Sequence, residues 1–333
     1  MLNQKSFSSS DPSKSFNSDI KVLRPCVEVF ILTYERPVLF EESLKSVLAQ
    51  DYENFQVVVS DNSVSDDTQA IVARYNDARL IYRRRKPSLQ PMHHFNQVLS
   101  EVRSDYFMLF HDDDIMLPNC LSTLMQGFAG NCRLSAVGGN ATMIYNNFSS
   151  NRKFICRQHG MLIRKPSDLV KQYFVSGDYS PFPSYLYYRP LISDLRMKTN
   201  CGKHADVIFL AEVCMRGSIL MMQQLVMRYR QHVLQDSSSC SLPERQALIK
   251  WVCNNTTLDR KSPEVKFYRL VGLIEKTNQQ EHRSVRRSFY LFYMLAILHL
   301  RHFRLQFFFL FIRLAQRVVQ KICLRHNAFN RMS

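Results

Sequence analysis

The sequence predicts an α/β protein: a mostly parallel sheet flanked by helices, followed by a helical, basic extension at the C-terminal end. Three observations predict it. From residue 27 to residue 110, apolar runs of strand length alternate with apolar stripes at helical spacing. Polar clusters follow several of the strands, and the last fifty residues change composition to basic and aromatic. Alternation of this kind implies parallel strands covered by helices on both faces.

Each element has its own signal. Val27–Thr33 is an apolar run that ends in a polar turn, and Phe40, Leu44, Val47 and Leu48 then recur at helical spacing behind Pro37. Phe55–Ser60 is a second strand, followed by the acid- and serine-rich segment Asp61–Thr68 and a helix marked by Ile71, Val72 and Tyr75. Asp66 and Asp67 stand where that helix begins and read as caps. Leu80–Tyr82 is a short third strand. Phe95, Val98, Leu99 and Val102 form one helical stripe before the strand Tyr106–Phe110. Further on, Val207, Leu210, Ala211 and Cys214 mark a helix beginning near Asp206, and Ile219–Tyr229 is strand-like. In a parallel sheet ligands bind beyond the carboxyl ends of the strands, so Thr33–Arg36, Asp61–Thr68 and Asp112–Asp114 are expected to meet in one cleft.

The densest chemistry is His111-Asp112-Asp113-Asp114, directly after the strand. Three neighbouring carboxylates repel one another and raise each other's pKa unless a cation compensates. Mg²⁺ or Mn²⁺ suits hard oxygen ligands together with a diphosphate. Asp112 and Asp114, two residues apart, would share one side of an extended segment. His111 reads as a packing or hydrogen-bonding group. Arg83, Arg84, Arg85 and Lys86 could draw in a diphosphate or form a solvated face.

Composition limits the rest. With 333 residues and 46% hydrophobic content, the chain can bury one large or two small cores. Its nine cysteines are odd in number and include no C-x-x-C pair, which indicates reduced thiols and a cytoplasmic protein. Residues 1–19 contain seven serines and no apolar core of the signal-peptide kind, so they are expected to be a flexible arm. The net charge is +16, and no acid follows Glu281. Apolar blocks at 289–298 and 305–312 lie between the basic residues of this tail, and both are shorter than the roughly 20 residues that span a bilayer. Aromatics in solid blocks do not form stacking platforms, which argues against nucleic acid. An interfacial membrane segment fits, each basic residue near anionic lipid contributing about 1 kcal/mol; core-packing helices are the alternative.

Four motifs in order carry a resemblance: Ile31-Leu32-Thr33-Tyr34-Glu35-Arg36-Pro37, Asp61-Asn62-Ser63-x-Ser65-x-Asp67-Thr68, Asn96 before a helix, and Asp112-Asp113-Asp114 before Leu117-Pro118. Over residues 26 to about 125 the chain resembles the family 2 glycosyltransferases of GT-A fold, of the kind that builds bacterial surface polysaccharides. The resemblance continues more loosely to about residue 240 through Gly202-Lys203-His204-Ala205-Asp206, Arg228-Tyr229-Arg230-Gln231-His232 and Ser237-Ser238-Ser239.

The resemblance implies a Rossmann-like GT-A domain over 20–240, with a nucleotide-sugar-binding half at 20–125 and an acceptor half at 126–240; beyond it, where the resemblance ends, composition suggests a helical, basic, aromatic-rich membrane-associating extension over 241–333. It implies that Thr33, Glu35 and Asp61 hold the nucleotide, Asp61 accepting from a base N–H. Asn96, Asp113 and Arg230 would contact the donor, Asp113 at its ribose or sugar. Asp112, Asp114 and His232 would hold Mg²⁺ or Mn²⁺ at the diphosphate. Asp206 would deprotonate the acceptor hydroxyl, with His204 and Asp178 in reserve; Ala205 stands where the family often has a first acid. The implied activity is inverting, metal-dependent sugar transfer from a nucleotide sugar, a UDP-sugar first among them, to a lipid-linked saccharide in O-antigen or capsule-like biosynthesis. The implied place is the cytoplasmic face of the cell membrane. Two other readings stay open: a nucleotidyltransferase, although Leu32–Pro37 lacks the glycines of a phosphate loop, and a non-catalytic nucleotide-binding protein of the same fold.

Overall fold

The computed structural model describes residues 25–130, 133–145, 148–231 and 241–280. The expected flexible arm, His232, Ser237–Ser239 and the apolar blocks of the tail lie outside the described residues.

The first half follows the predicted alternation. Strand β1 (Val27–Thr33) is buried along its whole length, as a strand covered on both faces should be. Helix α1 (Pro37–Leu48) starts with proline, whose fixed φ suits a first helical turn, and buries Phe40, Ser43, Leu44 and Val47. Next come β2 (Phe55–Asp61), α2 (Asp67–Val72), β3 (Leu80–Arg84), α3 (Pro91–Glu101) and β4 (Tyr106–His111). The strands pair in the order β3-β2-β1-β4, all parallel. The register sets Thr33 beside Asp61 and Leu32 beside His111, so the polar ends of β1, β2 and β4 stand level.

The second half is mixed. It comprises β5 (Ile115–Met116), α4 (Cys120–Phe128), β6 (Leu134–Tyr145), β7 (Phe148–Lys153), β8 (Met161–Ile163), α5 (Pro166–Lys171), β9 (Tyr185–Tyr188), α6 (Arg189–Ile192), α7 (Ala205–Arg216) and β10 (Ser218–Gln231). Among the described residues the sheet has ten strands in the order β3-β2-β1-β4-β9-β6-β10-β5, with β7 on β6 and β8 on β10. Strand β9 runs antiparallel to both β4 and β6, while β6 and β10 are parallel. One core packs α1, α2 and α4 against a face of the sheet, and a second packs α3, α5 and α7 against the other.

Beyond residue 240, α8 (Leu242–Asn255) and α9 (Pro263–Gln280) follow. A capping box opens α8, with Ser241 and Glu244 satisfying each other's backbone N–H groups. Leu248, Ile249, Val252, Val265 and Tyr268 join the core that also holds α5 and α7. Tyr268 stacks on Phe174 with ring centroids 4.2 Å apart, and Arg245 lies 4.7 Å over the Tyr268 ring. Residues 248–268, at the start of the expected extension, therefore pack into the core that holds α5 and α7. Among the described residues, no helix is long and apolar enough to cross a membrane.

Candidate active site

The turn after β1 is shaped by Glu35, a non-glycine residue at φ 52°. Such a conformation costs on the order of 1 kcal/mol, and hydrogen bonds offset it. Glu35 N donates to Ser63 Oγ (2.9 Å), and Glu35 Oε1 accepts from Val64 N and from Ser65 N (3.0 Å). These backbone donors hold the Glu35 carboxyl below its usual range. The loops that follow β1 and β2 are thereby joined into one wall.

Asp61 closes β2 and is fully buried. Its Oδ1 accepts from Ser63 N (2.9 Å), and its Oδ2 accepts from Tyr82 Oη (2.6 Å) and Arg84 Nη1 (3.3 Å). Burial, with the Asp61 bond next, pushes the Tyr82 hydroxyl up to about 12, so it remains a donor. Arg84 also reaches Asp66 (3.1 Å), which stands at the start of α2 without making a side-chain capping bond. Arg83 and Arg85 turn instead to Glu101. Burial raises the Glu101 carboxyl, but Arg85, Gln97 and Arg83 outweigh it and bring it to about 2. Thr33 is buried, its carbonyl accepting from Asn62 N at 3.0 Å. The Asn62 amide holds both backbone groups of Leu89.

At the end of β4 the chain turns at Asp112 and Asp113. The alternation of an extended segment does not survive that turn, and the three acids point to different partners. Asp112 accepts from Tyr34 N (3.1 Å) and Arg36 Nη1 (3.3 Å), and the same guanidinium nitrogen reaches Asp113 Oδ2 (3.2 Å). Asp114 Oδ1 accepts from Arg230 N (2.9 Å). Asp114 Oδ2 is buried without a hydrogen-bond partner among the described residues, 3.9 Å from His111 Nδ1. His111, Asp113 and Asp114 each present one ligand atom within 4.8 Å of the others. Burial and the Asp113 charge raise the Asp112 carboxyl to about 6 against the pull of Arg36. The same two causes raise Asp114 well above the usual range. A buried, under-compensated carboxylate beside an imidazole fits a divalent cation.

The remaining expected residues are placed as follows. Arg230 is buried; besides its bond to Asp114 it donates from Nε to the Asp113 carbonyl (2.8 Å) and pairs with Glu42. Asn96 directs both amide atoms to the backbone of Met197, at 3.0 and 2.7 Å, pinning the loop before α7. Asp206 lies partly buried in the first turn of α7, its Oδ1 accepting from Val207 N (2.7 Å), and burial raises its carboxyl to about 6. Asp178 accepts from Cys156 N and pairs with Arg157. His204 sits between Tyr173 Oη (3.2 Å) and Tyr268 Oη (3.0 Å), and burial first, then Arg245, pushes it down to about 4.

An aromatic layer connects α7 to the acid turn. Phe209, one turn after Asp206, packs on Tyr187 at 5.7 Å and Phe182 at 6.4 Å, and Phe182 packs on His111 at 6.0 Å. Sequence reasoning brought Arg36 to the cleft without giving it a partner, and it missed Glu42, Tyr82 and the side-chain proximity of His111 to Asp113 and Asp114. Arg36 alone had a usable signal, since it closes the polar turn after β1.

A parallel half-sheet with acids at the ends of β2 and β4, extended by a mixed half, is a GT-A fold. Residues 28–184, just under half of the chain, match Glycosyl transferase family 2. It is 30% identical over 166 residues to the GalNAc(5)-diNAcBac-PP-undecaprenol beta-1,3-glucosyltransferase of Campylobacter jejuni, covering 47% of this chain and 49% of that protein. The chain thus spans about half the length of this relative. Among solved structures, TarS 1-349 of S. aureus in complex with UDP-GlcNAc superimposes with a TM-score of 0.57 at 14% identity, over 76% of this chain and 72% of that one. The mannosyltransferase PcManGT of Pyrobaculum calidifontis in complex with GDP-Man and Mn²⁺ gives 0.53 at 16% identity, over 84% and 81%. At these identities the likeness shows the fold.

Proposed function

We propose that this protein transfers a sugar from a nucleoside-diphosphate sugar to a hydroxyl of a lipid-linked saccharide, with inversion, in the assembly of a bacterial surface glycan. The observation that carries the reading is the buried Asp114 Oδ2, without a hydrogen-bond partner among the described residues, beside Asp113 and His111, at the end of β4 and level with Asp61 at the end of β2. A UDP- or GDP-linked donor agrees with the ligands of the two structural neighbours, and a polyprenyl-linked acceptor agrees with the name of the Campylobacter relative.

Asp61 accepts from the base, with Tyr82 and Arg84 fixing its carboxylate, and the wall joined by Glu35 orients the nucleotide. Asp114, with Asp112 and His232 as the resemblance implies or with Asp113 and His111 as the geometry favours, holds Mg²⁺ or Mn²⁺. When bound, that cation neutralises charge on the departing nucleoside diphosphate. Asp206 removes the acceptor proton. A carboxyl at about 6 is still ionised at pH 7 and basic enough to be useful, and such assistance is typically worth about 10² to 10⁴ in rate. Attack from the face opposite the leaving group inverts the anomeric centre in one displacement. The basic aromatic tail would hold the enzyme at the cytoplasmic membrane surface, where a lipid-linked acceptor is presented.

The test is incubation of the purified protein with a panel of nucleotide sugars, Mn²⁺ and a polyprenyl-diphosphate-linked saccharide, scored by mass for the addition of one sugar. Gain of a sugar supports the reading; recovery of unchanged acceptor across the panel overturns it. Truncation after Gln280 should move the protein from membrane to soluble fractions, and unchanged membrane association would refute the role of the tail.

A further inference from the structure

We propose that His111 Nδ1 is a direct ligand of the divalent cation, and that this nitrogen makes the site prefer transition-metal ions such as Mn²⁺ and Co²⁺ over Mg²⁺. The inference rests on the donor-site reading above and names which of this chain's residues select its metal.

Three observations support it. Two ligands of one small cation, each about 2.1 Å from it, stand roughly 3 to 4.2 Å apart. His111 Nδ1 and Asp114 Oδ2 are 3.9 Å apart, and Asp113 completes the group within 4.8 Å. The set is therefore nearly closed around one ion, and small side-chain rotations complete it. Second, Asp114 Oδ2 is buried with no hydrogen-bond partner among the described residues, so the oxygen nearest the imidazole is available to a ligand. Third, the imidazole is set by packing: Phe95 lies edge-on at 6.2 Å and Phe182 at 6.0 Å. No hydrogen bond of the ring to a described residue competes for Nδ1.

Asp112 has both oxygens engaged, by Tyr34 N and by Arg36, whereas Arg36 meets Asp113 through Oδ2. The local donor set is then two carboxylates and one imidazole. Mg²⁺ keeps an all-oxygen, near-octahedral shell and gives up water reluctantly. Imidazole favours later, softer divalent ions, with affinity rising from Mn²⁺ towards Co²⁺.

The test measures binding of metal alone to the full chain, independently of transfer. Mn²⁺ is titrated by EPR with Mg²⁺ as competitor, in His232→Gln protein so that the sequence-implied histidine contributes nothing. Mn²⁺ should bind at least tenfold more tightly than Mg²⁺, and pulsed EPR should show histidine nitrogen coupling to the bound ion. Adding His111→Gln should remove the coupling and weaken Mn²⁺ by about tenfold with little effect on Mg²⁺; His111→Asp should shift the preference towards Mg²⁺. Nitrogen coupling that survives His111→Gln, or its absence in the His232→Gln protein, overturns the proposal. The second measurement needs no His111 variant, so it decides even if those variants fail to fold. Coupling present without sugar transfer would refute the transfer reading alone, and transfer without coupling would refute this inference alone.

Discussion

Arg230 donates its backbone N–H to Asp114 Oδ1 at 2.9 Å across 116 positions of sequence, joining the last strand of the sheet to the acid turn. The same residue bonds the Asp113 carbonyl and pairs with Glu42 of α1, so one buried side chain braces the turn from two directions. Arg230→Met keeps the stem and the backbone bond but removes the charge. Loss of a buried charged hydrogen-bonding group costs about 1.5 to 3 kcal/mol. The variant should melt several degrees lower, and it should bind Mn²⁺ more weakly because the turn is less fixed. An unchanged Tm with unchanged Mn²⁺ affinity would mean that Arg230 braces nothing.

His204 carries a pH dependence of stability. Its pKa falls from 6.5 to about 4 on folding, so between these values the unfolded chain binds a proton that the folded chain refuses. The stabilising contribution is whole above pH 6.5 and is lost as pH falls towards 4, by about 1.4 kcal/mol per pH unit. Asp112 and Asp206, raised to about 6, act in the opposite sense, so the informative quantity is a difference. The stability gap between the wild type and His204→Gln should shrink as urea denaturation is repeated at pH 7, 6 and 5. A constant gap would show that His204 does not titrate on unfolding.

If Asp206 is the base, kcat should fall as pH drops below about 6, where its carboxyl protonates. Asp206→Asn should lower kcat by about 10² to 10⁴ while leaving donor affinity intact. Near-normal turnover in that variant would exclude the assignment.

Gly202 is at φ +54°, and a Cβ there would run into the Glu244 carboxylate that caps α8 and accepts from Lys203 N. Gly202→Ala should therefore cost about 2 to 4 kcal/mol, through both the backbone and the disrupted cap. Its circular dichroism melt should fall clearly below that of Lys203→Ala, an exposed neighbour. Equal melting points would contradict this account.

The sequence by itself determined the strands and helices of the first half and the level at which its polar ends meet. Val27–Thr33, Phe55–Asp61 and Tyr106–His111 each carry an unbroken apolar stretch (29–32, 57–59 and 107–110), as strands buried between helices do. Their parallel order then carries Thr33, Asp61 and the acid turn to one edge. Periodicity reports that a face is buried, however, and not what buries it. The antiparallel insertion of β9, and the packing of α8 and α9 around Tyr268 and His204, were decided by tertiary contacts.

The same limit governs the site. Asn96 meets Met197 across 101 positions, and Arg36 meets Asp112 across 76. Nothing local in the sequence encodes those pairings. Sequence put three acids after a strand; tertiary structure decided that a turn at Asp112 and Asp113 separates them. Asp112 goes to Tyr34 and Arg36, Asp113 shares Arg36, and Asp113 and Asp114 lie beside His111. The physical reason is that strand position is set by burial of side chains near in sequence, whereas the direction of a carboxylate is set by whichever donors the fold brings to it from far away.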